Sequence, residues 1–184
     1  MKFNLSKSLI FLLVLLSNFG CTKPIDFDQA DDLLLEPVLE SSIIFYEATA
    51  SDFFAGGMLQ NVVQDEVGID IFGDSFVQDN LVKAEFVFEV KNSMDRAFDL
   101  RLDFLDGNGQ LLESFTVDTP ASPDNSEIIT EYVETFEGVP LENLKQSRQL
   151  VFTLVMQTGP PLNQNSQGTI ALKSKGIFYL MIGG

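Results

Sequence analysis

From residue 81 onward the chain alternates apolar and polar residues with a period of two, and this restricts it to half-buried strands more firmly than any other feature. In residues 81–91, Val82, Ala84, Phe86, Phe88 and Val90 share one face, while Lys83, Glu85, Glu89 and Lys91 lie mostly on the other. Residues 96–105 repeat the pattern, with Phe98, Leu100, Leu102 and Phe104 set against Asp99, Arg101 and Asp103. Asn92, Ser93, Met94 and Asp95 read as the turn between them. The spacing predicts an antiparallel pair in which Lys83 or Lys91 faces Asp99 or Asp103, a contact that adds a little to pairing already set by the Phe-rich face. Asp106-Gly107-Asn108-Gly109 then predicts a hairpin, because Gly and Asn accept the positive φ of tight turns. Residues 110–118 are the returning strand.

The rest of the chain follows the same rule with interruptions. Residues 38–49 suit an opening strand and 126–136 a later one. Between 50 and 80 one strand is expected around 67–72, in the apolar run from Val67 to Phe72, with loop on either side. Pro120 and Pro123 pause the sheet, since proline cannot donate to a ladder. Pro140 is placed to open a short helix with Leu141 and Leu144 on one side. Residues 149–157 and 169–182 are apolar on both faces, which suits central strands. The expected fold is therefore all-β: a single antiparallel β-sandwich of roughly seven or eight strands with one short helix, resembling immunoglobulin-like modules in architecture. It occupies residues 37–184.

The first twenty-one residues carry an address. Lys2 and Lys7 precede an unbroken apolar run at 9–16, and Ser17, Asn18, Phe19 and Gly20 lead to Cys21, the only cysteine. Eight apolar residues are too few to cross a bilayer core of about 30 Å as a helix. The segment resembles bacterial lipoprotein signal peptides, in which a small residue such as Gly20 precedes a cysteine that is lipidated after cleavage. Asn18 and Phe19 stand where that family usually has a Leu and a small residue. The resemblance implies removal of residues 1–20, acylation of Cys21, including palmitate, and attachment to the cell outer membrane. The mature part is similar in style to short, acidic, Phe-rich lipoproteins of flavobacteria and their relatives. Residues 21–36 read as the lipidated cysteine and an acidic tether, in which Gln29-Ala30-Asp31-Asp32 is similar to a tag that sends some lipoproteins of that group to the cell surface. Leu33, Leu34 and Leu35 begin apolar material that could already belong to the domain.

Composition limits function. The chain has 27 acidic and 11 basic residues, and without residues 1–20 its formal net charge falls from −16 to −18. Such a charge disfavours nucleic acid and electrostatic adsorption to anionic lipid, so the anchor is assigned to the acyl chains on Cys21. There is no His, which removes Ser-His-Asp and Cys-His chemistry and His-ligated zinc. No lysine of the mature part has a Ser three residues before it, and Ser174 should point away from Lys173 and Lys175. The acids alternate outward like a solvated face. A calcium loop from Asp103, Asp106 and Asn108 lacks the required ligand spacing, and an ordinary turn is expected there. No enzyme activity, cofactor or metal is expected. The expected role is that of a non-catalytic accessory or interaction module with an envelope protein as partner, using apolar loop residues around Phe53, Phe54 and Phe76. A surface glycan- or ligand-binding protein is the alternative, although the chain has no Trp and three Tyr. A subunit that assembles by donating its C-terminal strand is the other.

Overall fold

The computed structural model describes residues 34–183. Within them residues 34–182 make one compact unit. Cys21, residues 1–20 and the tether as far as residue 33 lie outside the described residues.

Ten strands form the unit: β1 (Val38–Thr49), β2 (Phe54–Ala55), β3 (Met58–Leu59), β4 (Val62–Gly68), β5 (Leu81–Asn92), β6 (Phe98–Leu105), β7 (Leu111–Thr119), β8 (Ile128–Phe136), β9 (Gln149–Met156) and β10 (Thr169–Leu180). Two short helices accompany them, α1 (Ser75–Asn80) and α2 (Gly138–Gln146). Eight strands build two four-stranded sheets in the orders β1-β10-β5-β8 and β4-β9-β6-β7, and β2 with β3 makes a small separate hairpin. Every pairing is antiparallel.

The expected all-β sandwich is what the chain forms. Its likeness to immunoglobulin modules is one of layers, because the strand order is that of a jelly roll. Among the eight long strands only β6 and β7 are consecutive partners in one sheet; every other step along the chain crosses to the opposite sheet.

The crossing corrects one local expectation. β5 and β6 are not a hairpin: β5 pairs with β10 and β8, and β6 pairs with β7 and β9. Lys83 and Lys91 therefore meet Glu85 and Glu127, at 2.7 and 3.0 Å, instead of Asp99 or Asp103. Asp103 is not on a solvated face either, being mostly buried, held by Arg101 at 2.8 Å and accepting from Ser114 Oγ at 2.6 Å. The second correction concerns residues 67–72. The strand there is β4, which begins at Val62 and ends at Gly68, and residues 71–73 close a 3-10 turn. The continuous apolar run suggested strand, but Phe72 is swallowed by the core against Phe178, with ring centroids 5.8 Å apart.

Other readings hold. The Asp106 turn joins β6 to β7, with Gly109 at φ +79° and the Asp106 carboxylate accepting from the backbone N–H of Asn108 and Gln110, both at 2.8 Å. Pro140 stands in the first turn of α2, where its missing N–H costs nothing, and Leu141 and Leu144 are buried beneath it. β9 and β10 are central, each paired on both edges. Ser174 is buried between exposed Lys173 and Lys175, and its hydroxyl accepts the Ile44 N–H at 3.1 Å where β1 bulges.

The core lies between the two sheets and is built from phenylalanine. Phe86 of β5 meets Phe104 of β6 at 5.2 Å, Phe136 of β8 at 5.5 Å and Phe178 of β10 at 6.0 Å between ring centroids, all three edge to face. Such pairs add to the burial of their area. With no disulfide, this contact between sheets is what holds the layers together.

Candidate functional site

Antiparallel pairing gives the sandwich two ends with different contents. At one end the described chain enters at Leu34, β10 finishes, and α1, α2 and the β6–β7 turn are gathered. At the other, four connections pass between the sheets: residues 50–61, 93–97, 120–127 and 157–168. Loops converging on a rigid scaffold are where binding residues concentrate, and this distal end holds Asn92, Arg96, Thr119 and Ser122, half of the buried polar residues of the domain.

Three of the four loops are bonded to one another. Asn92, fully buried at the end of β5, donates from its amide to the carbonyls of Arg96 and Pro120, both at 2.7 Å, and accepts the Met94 N–H at 3.0 Å. Those three bonds fold residues 93–97 into a closed corner around buried Met94. Arg96 then reaches the third loop, donating to the carbonyls of Gln157, at 2.9 Å, and Pro160. Among the described residues its buried guanidinium has no acidic partner and its Nε no hydrogen bond. Asn125, in the left-handed region at φ +58°, donates to Ser93 O at 2.8 Å and Gln167 O at 3.4 Å. Ser122, also buried, bonds Ser126 O at 2.6 Å.

Gly168 makes the close approach possible. It sits at φ +96°, and a Cβ there would lie 2.2 Å from the Ser93 carbonyl oxygen. Its absence lets Ser93 N donate to Thr169 O and Thr169 N to Ser93 Oγ, each at 2.9 Å.

Between these loops opens a cleft of about 340 Å³, lined by the apolar Pro160, Pro161 and Leu162 together with the polar Asp95, Asn125, Asn165, Ser166 and Gln167. The Asp95 carboxylate and the side-chain amides of Asn165 and Gln167 make no hydrogen bond among the described residues and are free to bind a ligand. The fourth loop stands apart. Its tip is the β2–β3 hairpin, turned by Gly56 and Gly57 at φ +60° and +81°, and it exposes Met58 (69%).

The expected apolar contact residues are distributed differently. Phe53 is fully buried against Phe98, Phe54 is half-buried, and Phe76 is exposed on α1 at the opposite end. The most exposed apolar residue of this loop is Met58, ahead of Leu59 (37%). Phe45 (70% exposed) on β1, beside Lys173, is as exposed as Met58. Sequence reading missed both because a single apolar residue in a loop or on an edge strand has no periodicity to mark it.

Acids close to this end have one notable pair. Asp99 of β6 and Asp118 of β7 stand in register, and the Gln157 amide donates to Asp99. Burial, with Asp118 adding to it, pushes the Asp99 carboxyl above its ordinary range. In the 120–127 connection, the Ser126 hydroxyl and N–H hold Asp124 below that range. Among the described residues no group of three or more His, Cys, Asp or Glu is arranged to hold a metal ion. No helix of the described residues is long and apolar enough to cross a membrane. The arrangement offers hydrogen-bond donors and acceptors beside an apolar wall, a set suited to binding. Cys21, the residue expected to be modified, lies outside the described residues.

No family model matches the sequence, and no curated protein matches it. Among solved structures the chain is similar to VP2 of infectious bursal disease virus in its subviral particle, at 10% identity and a TM-score of 0.48, covering 78% of this chain and 33% of that one. It is also similar to a candidate secreted protein from Parabacteroides distasonis, at 16% identity and a TM-score of 0.44, covering 67% of this chain and 38% of that one. A third likeness is to the enzymatically active domain of bacteriophage CBA120 tailspike protein 4, at 10% identity and a TM-score of 0.35, covering 80% of this chain and 19% of that one. This chain spans about a third of the VP2 chain, and nothing about ligands or partners follows from these likenesses.

Proposed function

We propose that this protein is an envelope lipoprotein, held to the outer membrane through acylated Cys21, whose jelly-roll domain acts without catalysis by presenting its distal loops to another envelope protein. One observation supports this reading above the others. The described chain enters the sandwich at Leu34, at the end opposite the four distal loops. A domain tethered from that side turns residues 50–61, 93–97, 120–127 and 157–168 away from its anchor. The exposed Met58 tip and the polar cleft then meet whatever lies beyond the membrane surface, while the bonds from Asn92, Arg96 and Asn125 hold three of the loops in shape before any partner arrives. Preorganisation of this kind lowers the ordering cost of binding.

The decisive experiment joins two measurements on protein isolated from its native membrane. Mass spectrometry should show Cys21 as the first residue and acylated. A photo-crosslinking residue at Met58 should capture one dominant envelope protein, whereas the same residue at Gly107, in the turn at the other end, should not. A free Cys21 thiol would end the anchored reading; equal capture at both positions would end the assignment to the distal loops.

A second reading is favoured by the cleft itself. The side chains of Asn165, Gln167 and Asp95, in one cleft with Pro160, Pro161 and Leu162, would suit a neutral, hydroxyl-rich ligand such as a glycan. Assembly through the last strand is not favoured, because β10 has β1 on one edge and β5 on the other.

A further inference from the structure

The end of the sandwich where the chain enters carries an exposed apolar rim. Leu34 and Leu35 precede β1, and Leu35 pairs with Ile182 through two backbone bonds of 2.9 Å. Val38 follows on the outer face of β1, in register with Tyr179, which is in turn in register with Lys83. Val82 bulges beside them at the start of β5, and the Met181 N–H donates to Asn80 O at 2.8 Å. Leu34, Leu35, Val38, Val82 and Met181 each leave between 43 and 52% of their surface in water. Val38, Val82 and Met181 line a groove of about 330 Å³ with Tyr179, Leu180, Lys83 and Glu36. Single exposed apolar residues are ordinary, but a contiguous group marks a contact surface.

We propose that this rim rests on the lipid bilayer, so that the domain is seated on the membrane by its apolar end as well as tethered to it. The proposal builds on the reading of Cys21 as the anchor. Two observations choose lipid as the occupant. The first is position: twelve residues separate Cys21 from Leu34, a chain that reaches at most roughly 40 Å, and the rim surrounds the point at which that chain joins the domain. The second is the polar border. Tyr179 has its hydroxyl on Glu85 at 2.9 Å, and the Lys83 ammonium lies 5.0 Å over its ring and 2.7 Å from Glu85. An aromatic ring with a wet end and a lysine on an apolar stem suit the boundary between hydrocarbon and headgroups. With Lys83 engaged by Glu85, Glu36 leaves the groove without positive charge to spare. Apolar burial must therefore drive seating, and anionic lipid should oppose it.

The test uses the acylated full chain, in which Cys21 offers no free thiol and a single introduced cysteine can be labelled. Val82→Cys and Met58→Cys are each given an environment-sensitive fluorophore and reconstituted into phosphatidylcholine vesicles. The label at Val82 should shift to the blue and the label at Met58, at the far end of the sandwich, should not. In vesicles containing phosphatidylglycerol the shift at Val82 should shrink and recover as salt is added, the reverse of electrostatic adsorption. Adding Val38→Asp and Met181→Asp should abolish it. If Cys21 is acylated and the Val82 label is as wet as the Met58 label, the seating proposal is wrong while the anchor stands. If Cys21 proves unacylated, the anchor fails separately, and a blue shift at Val82 on mixing with vesicles would still support the rim.

Discussion

Truncating Phe86 to Ala tests whether the aromatic contact between the sheets is what keeps this disulfide-free sandwich folded. Phe86 has no exposed surface and four rings around it, those of Phe88, Phe104, Phe136 and Phe178, at centroid distances from 5.2 to 6.5 Å. A buried Phe→Ala change costs roughly 3–5 kcal/mol, the larger values arising where neighbours cannot close the void. Here closure is restricted, because Phe104 and Phe136 already pack on each other at 5.5 Å and Phe178 is fixed against Phe72. Some relief comes from the cleft of about 260 Å³ between β1 and β4, whose lining includes Phe86 and Phe178. The expected loss is about 4 kcal/mol, a large share of the 5–15 kcal/mol typical of a domain. At roughly 2–4 °C per kcal/mol for a chain of this size, Tm should fall by about 8–16 °C. Thermal and urea unfolding followed by circular dichroism measure it. Phe86→Leu, which keeps most of the volume, should cost about 1–1.5 kcal/mol, and Val87→Ala on the outward face of the same strand less than about 1 kcal/mol. A Phe86→Ala variant no less stable than Val87→Ala would refute the argument.

Gly168→Ala should destabilise by roughly 2–4 kcal/mol, since its Cβ collides with the Ser93 backbone and parts two of the distal loops; hydrogen exchange at Ser93 and Thr169 should speed up, and unchanged protection would contradict the geometry. Arg96→Lys should cost about 1–3 kcal/mol in urea unfolding, because an ammonium cannot span the Gln157 and Pro160 carbonyls as the planar guanidinium does. Asp99 gives a pH signature: burial and Asp118 raise its folded pKa, so its ionised form costs stability above that value, and the cost fades as pH falls through the folded pKa and is gone below the unfolded pKa of about 3.9. Asp99→Asn should accordingly be more stable than the parent at pH 7, with the gain shrinking toward pH 4; a gain that is independent of pH would show another cause.

Much of the fold was legible because strand alternation and turn chemistry are local. Phe98, Leu100, Leu102 and Phe104 face the core as their spacing requires, Gly109 takes the positive φ of its turn, and the two-faced apolar strands β9 and β10 are central. The distal end was not legible. Asn92 and Asp95 look alike as turn residues, yet one is sealed inside the corner and the other faces an open cleft. Arg96, a charged residue at a strand boundary, would ordinarily be placed in solvent; only the carbonyls of a loop sixty residues away make its burial tolerable. The cleft draws on three loops, so no contiguous motif could announce it.

The sequence alone determined that this chain would alternate, turn and bury its phenylalanines in an antiparallel sandwich, and it supplied the cysteine and apolar run from which an anchor is inferred. Tertiary structure decided that β5 crosses away from β6, that four loops share one end and that Val38, Val82 and Met181 gather at the other. Period-two alternation tells a strand which face to bury but not which neighbour to take. That choice belongs to the packing of the two sheets, where Phe86 of one meets Phe104 of the other.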